Sequence, residues 1–103
     1  MQVLKRKADV LSRVFSKLNQ NQLFFQSLST LIESDNKISR EFAMYGFEIM
    51  TELSLSGEEL AAAKNDFFQI FEKTLVDTEV TVRIASLKAI TAFVSGLEDY
   101  DTV

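Results

Sequence analysis

Apolar residues recur every three or four positions along nearly the whole chain, the spacing of one buried helix face. A first helix is predicted over residues 3–18, with Val10, Val14 and Leu18 on its inner side. A second is predicted over 21–33. A third follows over 37–53, with Ile38, Phe42, Phe47, Met50 and Leu53 inward. A fourth begins near Ser56, where Ser56 and Glu59 have the spacing of a capping box, each side chain satisfying a free backbone N–H. A fifth is predicted over 80–97. Short polar segments, "NQN", "SDN", "LSLSG" and "DTE", join them, as between antiparallel neighbours. There is no proline, glycine occurs only at 46, 57 and 96, and strand or hairpin signals are few. The pattern predicts an all-α fold of five antiparallel helices.

The pattern also repeats. Shifted by 43 positions, "FFQSLSTLIES" (24–34) falls on "FFQIFEKTLVD" (67–77), and the register runs on through the turn without a gap. Arg40 meets Arg83, Ala43 meets Ser86, Gly46 meets Ala89, Phe47 meets Ile90 and Met50 meets Phe93. A period of ~40–47 residues carrying two helices is the signature of HEAT or armadillo arrays, in which helix pairs stack because none can bury its apolar faces alone. The expected architecture is a HEAT-like α-solenoid fragment of about two and a half repeats. Residues 1–19 read as the second helix of a preceding repeat, 20–55 and 56–98 as full repeats, and 99–103 as an acidic tail. Neither end carries a polar cap, so the isolated chain is expected to self-associate or to be marginally stable.

Composition narrows the chemistry. Without cysteine or histidine, disulfides, structural zinc sites, Cys/His nucleophile pairs and imidazole catalysis are excluded within this chain. No apolar run approaching the ~20 residues of a membrane helix is read from the sequence, and the opening "MQVLKRKADVL" lacks the form of a signal peptide. The net charge of −4 is uneven, with Lys5, Arg6 and Lys7 near the start and Glu98, Asp99 and Asp101 near the end. An acidic balance argues against nucleic acid and favours a basic protein partner. The carboxylates lie along helix faces with no nucleophile, metal-ligand set or Gly-rich loop beside them, so no catalytic site, metal or cofactor is expected.

Two groups of residues stand out. In HEAT arrays an acid often ends the first helix of a pair and "VR" opens the second, so Asp77 with Arg83, and Arg40 at the matching place, read as a structural ladder along the stack. In the first copy Ser34 holds the position of Asp77, with Asp35 one residue late. The second group is Glu41, Tyr45, Glu48 and Glu52, spaced 4, 3 and 4 and hence on one helix face. That face reads either as a solvated surface or as an acidic stripe with one aromatic anchor for a basic partner. The fifth helix presents Thr81, Lys88, Thr91 and Ser95 in the same place. The Phe pairs at 24–25 and 67–68 read as seals of the helix-pair core, or else as a groove for a partner's phenylalanine.

The stretches "SDNKISREFAMYGFEIM" and "RIASLKAITAFVSGLEDYD", with the basic opening "LKRKADVLSRVFSKL", resemble the amino-terminal part of the karyopherin-β (importin-beta) family, its importin-five branch above all. The likeness covers nearly the whole chain. It implies a non-enzymatic nuclear transport receptor shuttling between cytoplasm and nucleus. Its inner, second helices would bind cargo and Ran-GTP, and its outer, first helices Phe-Gly nucleoporins. On that reading Glu41, Tyr45, Glu48, Glu52 and Lys88 become partner-binding residues. The alternative is a HEAT scaffold outside transport, of the phosphatase-regulatory or vesicle-coat type.

Overall fold

The computed structural model describes residues 2–101, and among them every regular element is helical. The order is α1 (Gln2–Lys17), α2 (Asn21–Leu31), α3 (Lys37–Ile49) running into a π-helical segment (Met50–Ser54), α4 (Gly57–Ala62), α5 (Lys64–Thr74) and α6 (Val80–Asp101). Arrays of helix pairs predict this all-α repeat architecture, and the helix ends carry the period. Asn21 and Lys64, which open α2 and α5, are 43 residues apart, as are Leu31 and Thr74, which close them, and Lys37 and Val80, which open α3 and α6.

Local chemistry sets the ends. Asn19 takes φ 56°, a left-handed conformation that asparagine tolerates better than most residues. Gln20 N–H then donates to Phe15 O at 2.8 Å and Asn19 N–H to Ser16 O at 3.0 Å, the paired bonds of a Schellman stop with asparagine in glycine's place. Asn36 caps α3 by accepting from Ile38 N–H at 2.8 Å. The Ser56–Glu59 capping box forms, with Glu59 N–H donating to Ser56 Oγ and Ser56 N–H to Glu59 Oε1. It opens only one short turn. The backbone breaks at Ala63 and restarts as α5, so the single fourth helix read from the sequence is two. The π segment is closed by Leu55 N–H donating to Met50 O at 2.9 Å, which leaves Leu55 and Ser56 as the whole connection to α4.

The helices form two layers. Leu28 lies against Gly46 and Phe25 against Phe47, so α2 runs antiparallel to α3. Phe67 stacks on Phe93 at 4.6 Å and Thr74 Oγ1 meets Ser86 Oγ at 2.6 Å, which sets α5 antiparallel to α6. Lys5 reaches Glu48 and Ser12 reaches Ser54, so α1 and α3 run parallel. α2 and α5 thus make one layer, and α1, α3 and α6 the other. Phe25 and Phe47 both contact Phe67 edge-on, which carries the core from one helix pair into the next. Phe24 and Phe67 are buried, while Phe68 is 45% exposed.

Several inward assignments change. Val10, Val14 and Leu18 are exposed, because α1 packs through Leu4, Ala8, Ser12 and Phe15 instead. Ala8 and Ser12 are small enough to let the α1 backbone come close to α3. Ile38 and Leu53 are also exposed. α6 continues through Asp101, so Glu98, Asp99 and Asp101 belong to a helix rather than a tail; residues 102–103 of that expected tail lie outside the described residues. The segment Val80–Tyr100, at a mean hydropathy of 1.4, is long and apolar enough to cross a membrane by length and composition. Here it is the last helix of the stack, and Val82, Ala85, Ala89 and Phe93 form its buried stripe.

Candidate partner-binding face

The turn between the helices of each pair is built the same way twice. Asn36 N–H donates to Ser34 Oγ at 3.1 Å, and Glu79 N–H to Asp77 Oδ1 at 2.9 Å. Arg40 Nη1 donates to Ser34 O at 2.9 Å, and Arg83 Nη1 to Asp77 O at 2.6 Å. Each arginine therefore holds the carbonyl six residues before it and pins the turn to the second helix. Arg40 goes further. Its Nε and Nη2 grip Asp77 Oδ2 and Oδ1 at 2.8 and 3.1 Å, a bidentate bridge from one repeat to the next. Burial alone would raise the Asp77 carboxyl, but the hydrogen bonds from Arg40 and Glu79 N–H outweigh it and hold it below its ordinary value. The hydrogen bond with Asp77 raises Arg40 in turn. Ser34 makes the turn as Asp77 does, but has no carboxylate to offer. Glu33–Lys73 and Lys37–Glu79 flank the bridge as exposed ion pairs.

The face expected to be acidic is mostly closed by the protein's own helices. Glu41, Tyr45 and Glu48 are 3%, 8% and 7% exposed. α3 is covered by α2 on one side and by α1 and α6 on the others, so burial spreads round its circumference from Ala43 to Thr51. An amphipathic stripe does not describe such a helix, which is why the 4-3-4 spacing suggested an open surface. Tyr45 Oη donates to Glu41 Oε2 at 2.6 Å, and burial with that bond pushes the phenol up to about 12. Glu48 Oε2 lies 3.5 Å from Lys5 Nζ. Its other oxygen, Oε1, is buried with no hydrogen-bond donor. Glu52 and Lys88 stay exposed.

Between α3 with its π segment and α6 runs an open trough of about 590 Å³. Glu48, Thr51 and Glu52 line one wall, and Lys88, Thr91 and Ser95 the other. Under the 43-residue shift Glu48 corresponds to Thr91 and Glu52 to Ser95, so the acids stand on one wall only. Partial desolvation, and then Glu48, raise the Glu52 carboxyl. A second trough, of about 430 Å³, lies on the α1 side, where Lys5, Arg6 and Asp9 face Glu52 and Leu53. Thr51 and Lys5 are missing from the sequence-based set. The only sequence signal for Lys5 is the basic run at 5–7, and Thr51 gives none, its hydroxyl bonding back to Phe47 O. Among the described residues, no three Asp or Glu converge as a metal site would require.

A family model described as IPO5-like, TPR repeats, matches residues 1–103. The chain belongs to that family. Comparison with curated proteins and with solved structures gives no match. Membership in the IPO5-like family agrees with the stacked helix pairs, and the period here is that of a HEAT unit rather than the 34 residues of a TPR unit. In this member the bridge between repeats is Arg40–Asp77, and the α1, α3 and α6 layer carries the troughs.

Proposed function

We propose that this chain is part of a nuclear import receptor, close to the importin-five branch, that works by binding and shuttles between cytoplasm and nucleus. The observation that carries this reading is the family match along the whole chain. The layer of α1, α3 and α6 is the cargo and Ran-GTP face, where Glu52 and Lys88 are open to a partner. Glu41 and Tyr45 act behind it, shaping α3 rather than touching the partner. The α2 and α5 side offers a smaller trough, of about 300 Å³, beside Phe25, Met50 and Ala63. Apolar walls there suit the phenylalanine of a Phe-Gly nucleoporin.

The test is binding of the protein to Ran loaded with GTP or GDP, at low and high salt, with wild type and Glu52→Lys. The reversal is placed at Glu52 because Glu48 is buried beside Lys5, where a lysine would set two like charges together and destabilise the fold. GTP-selective binding that falls with salt and with Glu52→Lys is the expected result. A single exposed charge contributes ~0.2–1 kcal/mol, so the loss is modest. Binding indifferent to the nucleotide would instead favour a scaffold outside transport.

A further inference from the structure

We propose, independently of the receptor reading, that copies of this chain join head to tail, the outer side of α1 on one copy docking on the open face of α5 and α6 on the next.

That open face is one the molecule covers elsewhere. In the first helix pair Ile32, Glu41, Met44 and Thr51 are buried, where α5 and α6 lie beside them. Forty-three residues on, Leu75, Ile84, Leu87 and Val94 are 40–56% exposed. Val80, Ile84, Leu87, Thr91 and Val94 are spaced 4, 3, 4 and 3, the seam of a helix that packs along another. α6 is therefore apolar on two sides. Val82, Ala85, Ala89 and Phe93 face the core, and this second stripe faces water. α1 has a stripe of the same kind. Its Ala8 and Ser12 pack inward, while Val3, Val10, Val14 and Leu18 are exposed, with Lys7 among them. Contiguous apolar surface of this sort marks a contact site.

Charge settles which faces meet. α1 carries five of the eleven basic side chains and one of the fifteen acidic ones, a net +4, and the rest of the chain is left at −8. Two α1 stripes brought together would repel. The α5 and α6 face holds exposed acids instead, Glu72 between Phe68 and Leu75, and Glu98 one turn past Val94. Of the cations nearby, Arg83 is half-buried and donates to Asp77 O, and Lys88 lies at the trough beside α3. The surface that fits each end in both charge and apolarity is thus the other end of the same chain. A head-to-tail contact of this kind leaves one free face at each end after every addition, so assembly does not stop at two copies.

Sedimentation velocity over a concentration series tests this on wild type, Val14→Glu and Ile84→Glu. Both residues are about half exposed, so both variants fold. Wild type is expected to grow past the dimer as concentration rises. Each variant should stay monomeric, because it has lost one of its two faces. An equimolar mixture of the variants is the deciding sample. The Val14→Glu chain keeps its α6 face and the Ile84→Glu chain keeps its α1 face, so the mixture should form dimers and go no further. Lys7→Glu, which turns the centre of the α1 stripe acidic, should weaken wild-type association about three- to fivefold. A wild type that stays monomeric or stops at the dimer, a mixture that stays monomeric, or a Lys7→Glu chain that associates as tightly as wild type would overturn head-to-tail docking.

Discussion

Asp77 does three things at once: it caps a turn, pairs with the arginine of the preceding repeat, and lends its carbonyl to Arg83. Asp77→Asn separates them, because the amide oxygen can still accept from Glu79 N–H while the charge is gone. Asp77 sits below its ordinary value of 3.8 in the fold, so the stability it confers is present above that value and is lost as pH falls through the folded value. Asp77→Asn should therefore melt several degrees below wild type at neutral pH, and the two curves should converge in strong acid, once the pH lies below the folded value. Thermal melts followed by circular dichroism at both pH values check this. Glu52 has the opposite sign. Its folded value lies above the ordinary 4.5, so its favourable share is present in acid and is lost as pH rises through the folded value. Glu52→Gln should consequently stabilise the protein at neutral pH and change little in strong acid, which the same melts would show.

Among the elements, α3 is the one on which the others depend. It touches α1, α2 and α6, and Gly46 lets it close on α2. A Cβ at Gly46 would stand 2.7 Å from Leu28 Cδ1 and 2.8 Å from Cδ2, and Leu28 is itself fully buried. Gly46→Ala should cost about 1–3 kcal/mol by overpacking, although alanine is the better helix former. The matching Ala89 shows that the second pair makes room for that methyl group. Phe67 joins the pairs, with rings from α2, α3, α5 and α6 around it. Phe67→Ala should cost about 3–5 kcal/mol. Phe68→Ala, at a half-exposed ring, should cost far less. Urea unfolding of the two variants measures both.

Over the whole molecule, the radius of gyration of 12.7 Å is that of an ordinary globule of this length, yet both ends of the stack present apolar side chains. At one end these are Val10, Leu11, Val14 and Leu18 of α1, and at the other Val76, Val80, Ile84 and Leu87. Each resembles a face that the middle of the stack covers with another helix pair. The 103-residue chain should self-associate as its concentration rises, which sedimentation velocity would detect. A strict monomer at high concentration would show that these side chains are tolerated in water.

What the sequence settled was whatever depends on residues close along the chain. Helical spacing, the capping box at Ser56 and the 43-residue match are local or periodic, so the all-α repeat architecture is legible in the sequence alone. The family match rests on the same linear order. Tertiary structure decided which side of each helix is covered, since that depends on the number of neighbours. α1, with few, leaves Val10, Val14 and Leu18 in solvent. α3, covered on several sides, draws Glu41, Tyr45 and Glu48 inside, where a bonded Tyr–Glu pair and a nearby lysine make their burial tolerable. The Arg40–Asp77 bridge likewise spans two repeats, and only their packing brings its halves together. The trough beside Glu48 has the same origin. It exists because α3 and α6 lie side by side, a relation between residues about 43 apart that no local pattern encodes.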